Sequence, residues 1–449
     1  MNLKEIGVFL FSKKHFVVFL FLVFLASFSY ALIHEIRPAV DAKAYDIIAM
    51  NLVENGEYRL GEGELEKNDA ILKVGPGYEF FIAAIYFIFG QKYWLVWLIQ
   101  SLLFVSSIFL VSALAIGLFY KERKVNWRNF YIALVPAAFF IDVIQLNAMI
   151  MGETLFIFLT TAAIVVFYFN IQKPSLLKSS GLGFLLGLLY LTRPVALALV
   201  AGFLGTVFFK KQYKSFILIL SVFLILQIPW IVRNYEVYGK ILPTHTAAGG
   251  VDFLSGNYPG NHGEYRSDFE LYQKIEAEDP TPMGFYENST KWFLNFAKEE
   301  PIKLAGVWLE KSVIFWSMTK TGGFWFHYFN KGEQAATIIM SIISYFLIYG
   351  TAIAYAVKLL KDKFKGNDFL KAVFVSTFFL VLISIITIIS SRYRLTLLPI
   401  MLIFSFGFWA EEKKWKYISL AGVWIVFATF LDLFLQYDKF LDKIGIIVS

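Results

Sequence analysis

The sequence contains no cysteine, only five histidines and few charged residues for its length. The absence of cysteine excludes disulfides, thiolate nucleophiles and cysteine-ligated metals. The histidines lack the paired helical spacing of a zinc site, whereas a carboxylate-bound Mg²⁺ or Mn²⁺ ion stays possible. Neither the phosphate-binding pattern GxxxxGK[ST] nor the nucleophile elbow GxSxG occurs, so nucleotide hydrolysis and serine-nucleophile chemistry have no signal. No heptads or internal repeats are present, which disfavours transporter folds built on inverted repeats.

Hydrophobic residues, by contrast, are abundant. They make up 58% of the 449 residues, aromatic residues make up 19%, and only 17% are charged. Such a chain cannot form one soluble core inside a polar surface, and its long apolar runs are typical of transmembrane helices. The sequence therefore predicts an all-α polytopic membrane protein. The first apolar run follows Lys13 and Lys14 and is expected to be an uncleaved signal anchor.

The distribution of lysine and arginine predicts the topology. Short basic connections are expected in the cytoplasm with the N-terminus, and residues 34–77 and 234–334, which hold more acids than bases, are expected outside. The net charge of +7 is explained by these loops and does not indicate nucleic acid. About eleven spans follow, with a range of roughly 10 to 13. They are 15–33, 94–120, 129–147, 154–170, two short helices within 181–208 that break at LTRP, 216–233, 335–357, 369–389, 395–410 and 417–436.

This topology divides the chain into three regions. Residues 1–233 form an N-terminal membrane module that includes the first outer loop, 234–334 form a large outer region, and 335–449 form the C-terminal membrane helices. Two further apolar segments, 77–90 and 303–318, are short for a hydrocarbon layer of about 30 Å. Both are expected to lie at the membrane interface, the second because it carries Glu310 and Lys311.

The first outer loop begins with a helical pattern. From Asp41 onward, apolar residues recur near one face and Gly56 is placed to end the helix. Asp46 and Glu54 are interpreted as surface acids of this helix.

Few ionisable residues lie at membrane depth, where each must face protein or a polar cavity. Arg193 stands at the Pro194 break and either lines such a cavity or is satisfied by the carbonyls freed there. Asp142 and Glu153 are candidates for a polar outer pocket, although Glu153 is equally explained as a first-turn helix acid.

Several cations fall on the predicted outer side, where the positive-inside rule expects few. They are Lys73, Arg233, Arg392 and Arg394. Singly, each is explained by snorkelling of a long side chain to the interface. Together they suit an anion carried on a lipid, because guanidinium groups bind phosphate oxygens in bidentate fashion.

Ordered sequence blocks resemble the GT-C glycosyltransferases, in particular family 39-like bacterial enzymes related to protein O-mannosyltransferases and the lipid A aminoarabinose transferase. The blocks cover nearly the whole chain. They are an acid followed by Tyr45 and IAMNLVENGEY, then KVGPGYEFFIAAIYFIFG, ETLF, GLLYLTRP, PWIVRNY, GGVDFLSGN and RYRLTLLP.

The resemblance implies a catalytic base at Asp41 and a lipid-phosphate contact at Lys73, and it matches Glu153 to an acid of the second outer loop. Relatives often carry a second acid beside the base, where this chain has Ala42, which puts a paired-carboxylate metal site in doubt.

The implied donor is a polyprenyl phosphate sugar, and the implied acceptor is a lipid, glycan or protein of the cell envelope. Asp41 would deprotonate the acceptor during a single displacement with inversion, while the cations stabilise the phosphate. Lys73, Arg193, Arg392 and Arg394 are the expected phosphate ligands. The expected pocket residues are Tyr45, Tyr78, Asp142, Glu153, Arg233 and Asn234.

Two other classes share these features. A flippase for lipid-linked saccharides would use the same cations without needing Asp41, and a polysaccharide polymerase or ligase would use a long-chain donor. The glycosyltransferase hypothesis places the enzyme in the cytoplasmic membrane as a multi-pass protein, with its active site on the outer face.

Overall fold

The computed structural model describes residues 3–60, 75–120, 124–242, 249–318, 330–411 and 415–437. Over these ranges the chain is helical without strands. Eight of the described helices are long and apolar enough to cross a membrane, or nine if one bent pair counts as a span. The predicted all-α polytopic membrane fold is therefore confirmed.

The described part of the N-terminal half contains eleven α-helices. They are α1 Leu3–Phe11, α2 Lys14–His34, α3 Asp41–Asn55, α4 Gly77–Phe89, α5 Tyr93–Phe119, α6 Trp127–Ala138, α7 Ile141–Asn147, α8 Glu153–Gln172, α9 Leu176–Thr192, α10 Leu197–Phe209 and α11 Tyr213–Tyr238. The single span expected at 129–147 is instead bent by 48° between α6 and α7. Pro136, near the end of α6, has no backbone N–H and therefore cannot donate a helical hydrogen bond. The break expected beside Arg193 is present as a 3₁₀ turn, Pro194–Ala196, between α9 and α10.

Four helices between the two membrane halves form what we call the helical insert. They are α12 Gly249–Asn257, α13 Glu270–Glu278, α14 Pro282–Glu299 and α15 Pro301–Trp316. The insert has its own small core, formed by Val251, Leu254, Tyr272, Ile275 and Phe285.

Lys311, one reason for the interfacial interpretation of 303–318, is satisfied inside the protein. This side chain is fully buried, and its ammonium group donates to Gly256 O at 2.9 Å and to Thr387 O at 2.7 Å. A lysine that meets several carbonyl acceptors inside the protein does not need the interface to satisfy its charge.

The C-terminal half contains α16 Lys331–Tyr345, α17 Thr351–Lys361, α18 Asp368–Ile386, α19 Leu398–Ala410 and α20 Trp415–Leu435. A π-helical turn, Phe346–Gly350, joins α16 and α17 into one span. A 3₁₀ helix, Ser391–Leu397, leads into α19.

The span Arg392–Ala410 is the most deeply buried of the candidate spans and defines the two ends of the bundle. Arg392 contacts Asp41 at one end, and Glu411 follows the last residue at the other. The nineteen residues of this span would extend about 28 Å at the α-helical rise of 1.5 Å per residue, close to the thickness of a hydrocarbon layer. We call these ends the Asp41 end and the Glu411 end.

Candidate functional site

Asp41 occupies the first turn of α3, as the sequence pattern predicts, and Gly56 ends that helix with a left-handed φ of 71°. A carboxylate is favoured at this position because the helix N-terminus carries partial positive charge. Asp41 Oδ2 accepts a hydrogen bond from the Arg392 guanidinium. The Asp41 side chain is 29% exposed, so it can still meet a molecule outside the protein.

Arg392 belongs to a row of alternating charges, which we call the charge chain. Arg392 Nε lies 3.6 Å from Glu153 Oε1, and that same oxygen accepts a hydrogen bond from Arg193 at 2.5 Å. The order is therefore Asp41, Arg392, Glu153, Arg193, drawn from four separate segments. Glu153 is fully buried, whereas both arginines keep a small exposed area. Because each buried charge has an opposite neighbour, the row can exist next to apolar helices.

An aromatic ring supports both arginines of the charge chain. The guanidinium carbons of Arg193 and Arg392 lie 5.2 and 5.7 Å from the centre of the Tyr393 ring. This cation–π contact holds the cations without using up their N–H donors. Their N–H groups bind the carboxylates of the charge chain, Asp41 for Arg392 and Glu153 for Arg193.

Tyr45 and Tyr78 form the wall beside the charge chain. Their rings meet edge to face at 5.3 Å, and the Tyr78 hydroxyl donates to Gln100 Oε1 at 2.6 Å. Burial raises the pKa of Tyr45 well above its usual value, so its hydroxyl stays neutral. Asp41 and both arginines of the charge chain lie within electrostatic reach of Tyr45.

A second polar group contains Glu79, which lies within electrostatic reach of Tyr45. Glu79 is fully buried and accepts a hydrogen bond of 3.1 Å from the Tyr58 hydroxyl. Arg233 stacks over Tyr58 at 5.5 Å and donates to Asn234 at 3.1 Å. Sequence reasoning missed Glu79, because an acid in the first turn of an apolar helix is already explained by the helix dipole.

The Arg193 break and the start of α8 are fixed by close packing and polar contacts. A Cβ added to Gly77, the first residue of α4, would lie 2.8 Å from the backbone nitrogen of Thr192, the residue before Arg193. Gln100 donates to the carbonyls of Asn147 and Met149, both at 2.8 Å, just before α8. These contacts set the positions of Arg193 and Glu153.

Asp46 anchors the middle of α3, and its interpretation as a surface acid is wrong. It is 8% exposed and accepts hydrogen bonds from Tyr86 at 2.6 Å, Tyr93 at 2.9 Å and Gln91 at 3.1 Å. These donors belong to α4, α5 and the turn between them, so Asp46 joins α3 to both helices. Glu54, on the same helix, is exposed as expected.

Two predicted site residues lie away from the charge chain. Arg394 is buried and donates to the carbonyls of Phe315 and Ser317, with its guanidinium over the Tyr345 ring at 4.3 Å. In a 3₁₀ helix with three residues per turn, side chains two residues apart point in widely different directions, which separates Arg394 from Arg392.

Asp142 is also buried away from the chain and accepts a hydrogen bond from Ser341 of α16. Lys73 lies outside the described residues.

Asp252 is a further acid near the site that sequence reasoning did not single out. It lies on α12, within electrostatic reach of Tyr393 and of Lys311. Burial raises the pKa of Asp252 to about 7. Burial likewise lowers the pKa of Lys311 to about 7, against the opposing attraction of Asp252.

The charge chain does not fit a divalent metal ion. Asp41 and Glu153 are each engaged by a guanidinium, and such a cation would meet two positive groups. No group of three potential metal ligands occurs among the residues that the structure describes.

Comparisons with known proteins give a distant structural likeness. The chain is similar to ArnT from Cupriavidus metallidurans, whose crystal structure was solved bound to undecaprenyl phosphate. The sequences are 12% identical, the TM-score is 0.42, and the match covers 92% of this chain and 78% of ArnT. No family model matches the chain, and no curated protein matches it. At this distance the likeness assigns no residue roles, which rest on the geometry above.

Proposed function

We propose that this protein is an integral membrane glycosyltransferase that moves a sugar from a polyprenyl phosphate donor to an acceptor at the Asp41 end. The supporting observation is the charge chain, in which the partly exposed carboxylate of Asp41 binds Arg392 and is linked through Glu153 to Arg193. A polyprenyl phosphate sugar presents a phosphate and an anomeric carbon together at the membrane surface. The reaction needs one base and a phosphate-stabilising group, and the charge chain contains both types.

In the proposed reaction, Asp41 takes the proton of an acceptor hydroxyl as its oxygen attacks the anomeric carbon. The bond from that carbon to the phosphate oxygen breaks, and the phosphate leaves with the electron pair, so the anomeric centre is inverted. Arg392 and Arg193 bind the phosphate and stabilise its growing charge. Because Arg392 also binds Asp41, a phosphate that competes for Arg392 frees the carboxylate to receive the proton.

Lys73, which lies outside the described residues, is proposed as a further phosphate contact from the sequence resemblance alone. The geometry leaves Arg394 out of that role, and Tyr45, Tyr78 and Arg233 are proposed pocket residues. The acceptor would be a lipid, glycan or protein of the cell envelope. Basic connections cluster at the Glu411 end, so we place that end in the cytoplasm and the Asp41 end outside the cytoplasmic membrane.

The experiment is sugar transfer by purified protein in detergent, from synthetic polyprenyl phosphate sugars, comparing wild type with Asp41→Asn. Loss of the base should lower kcat by roughly 10²- to 10⁴-fold, while donor binding is kept because the arginines are unchanged. Glu54→Gln is the matched control, since Glu54 is an exposed acid of the same helix.

Three outcomes contradict parts of the proposal. Full transfer by Asp41→Asn would remove Asp41 as the base. No transfer by wild type from any monosaccharide donor, together with translocation of the lipid in vesicles, would identify a flippase. Transfer only from long-chain donors would identify a polymerase or ligase.

A further inference from the structure

The connection between α17 and α18 borders a cavity of about 480 Å³ at the Glu411 end. Four lysines line it, Lys358, Lys361, Lys363 and Lys365, together with Asp362 and Glu411. This cavity lies one membrane thickness from the charge chain and is separate from the proposed active site.

The cavity has a surplus of positive charge. Lys358 is neutralised by Glu411 at 2.7 Å, with Asp362 at 3.8 Å. Lys361, Lys363 and Lys365 form no ion pair within the part of the chain that the structure describes. Three exposed ammonium groups on five consecutive residues repel one another, so an anion bound between them would relieve that repulsion.

The backbone turn that carries these lysines is held by packing and a hydrogen bond. Lys363 and Phe364 both have left-handed φ angles, 52° and 51°, which are unfavourable for residues with a Cβ. Phe364 is buried and packs on Phe374 at 5.3 Å, and its N–H donates to Leu359 O at 2.8 Å. Loop lysines that only set membrane orientation need neither a cavity nor a strained turn.

We propose that this cavity binds the phosphate headgroup of an anionic phospholipid in the leaflet at the Glu411 end. Lys361 is the last residue of the span Lys331–Lys361, so the three lysines stand at the level of the headgroup phosphates. Tyr355 and Leu359, both buried in the core, form the apolar part of the cavity lining. The position of the lysines at the end of a span favours a lipid phosphate over a free phosphate ion. The inference does not depend on glycosyl transfer.

The test is native mass spectrometry of the full chain released from nanodiscs of phosphatidylcholine with added phosphatidylglycerol. Wild type should retain phosphatidylglycerol, and Lys361→Gln/Lys363→Gln/Lys365→Gln should weaken retention at least tenfold, since each lysine near an anionic surface contributes roughly fivefold. The matched control is Lys173→Gln/Lys211→Gln/Lys214→Gln. It removes three exposed lysines from the same end of the bundle, outside the cavity.

Retention by the control and loss by the cavity variant support a built lipid site. Equal loss in both variants overturns the proposal, because it indicates diffuse attraction to any lysine at this end. Inorganic phosphate that displaces phosphatidylglycerol and binds wild type equally well also overturns it, in favour of a site for free phosphate. Retention by all three proteins overturns it as well.

Discussion

Asp41 and Asp46 lie five residues apart on α3, and because of that spacing they contact different partners. Five residues at about 100° each place the two side chains on different faces of the helix. Asp41 faces Arg392, while Asp46 faces the hydroxyls of Tyr86 and Tyr93. Asp46 thus sets the position of the helix that carries the proposed base.

We predict that Asp46→Asn destabilises the protein and misplaces Asp41. The substitution replaces an acceptor oxygen by an NH₂ group that faces other donors, which should lower the free energy of unfolding by about 1–3 kcal/mol. Thermal denaturation in detergent measures the loss, with Glu54→Gln as the exposed control. A melting temperature equal to that of wild type would refute the anchoring role.

The sequence predicts the start and end of α3 but not the role of Asp46. Helix periodicity, a first-turn acid and a stop glycine are local signals, whereas Tyr86 and Tyr93 lie 40 and 47 residues away. No local pattern reveals such a partner. The role of Glu79 could not be predicted for the same reason, because its hydrogen-bond donor, Tyr58, belongs to another segment.

At the scale of helices, α4 and the Arg193 break illustrate how two elements place one side chain. The start of α4 lies against Thr192 because Gly77 has no side chain. The φ of Gly77 is one that other residues adopt, so glycine is needed here only because a Cβ would not fit. The apolar length of α4 predicts a short helix correctly. Its contact with α9 depends on tertiary packing that hydropathy does not contain.

We predict that Gly77→Ala lowers both stability and transfer, because the new methyl group would force α4 away from Thr192. Gly205→Ala is the control. Gly205 lies inside α10 with no neighbouring atom near its Cβ position, so alanine should be neutral or stabilise by about 0.5–1 kcal/mol. Thermal unfolding and transfer assays on both variants provide the comparison, and equal behaviour would contradict the packing argument.

The sequence also does not predict the directions of side chains within irregular helices. The two arginines of SSRYRL look equivalent in sequence, yet Arg392 joins the charge chain and Arg394 binds carbonyls of α15 and the residue after it. The two side chains point in different directions because Ser391–Leu397 is a 3₁₀ helix, and no hydrophobic pattern in the sequence predicts that helix type.

At the scale of the whole molecule, Lys311 joins the helical insert to the membrane bundle. Its ammonium contacts Gly256 of α12 and Thr387 at the end of α18, and Ile389 N donates to Gly263 O at 2.9 Å nearby. Arg392 follows this segment directly. The insert is therefore tied to the backbone that positions one end of the charge chain.

We predict that this junction is least stable near pH 7. The raised pKa of Asp252 contributes stability at low pH, and this contribution is lost as the pH rises from about 4 to 7. The lowered pKa of Lys311 contributes stability at high pH, and this contribution is lost as the pH falls from about 10 to 7. The difference in unfolding free energy between wild type and Asp252→Asn/Lys311→Met should therefore show a minimum near neutral pH. Denaturant titrations across this range would contradict the prediction if the difference were flat.

The charge chain contains two carboxylates and two guanidiniums, so it is close to neutral before any ligand arrives. In the proposed reaction the donor is a phosphodiester, and the product is a phosphomonoester that can carry more negative charge. The same arginines would then hold the spent lipid more tightly than the fresh donor. Turnover would be set by how fast the spent carrier departs, and the burial that protects the arginines from solvent would also slow the cycle.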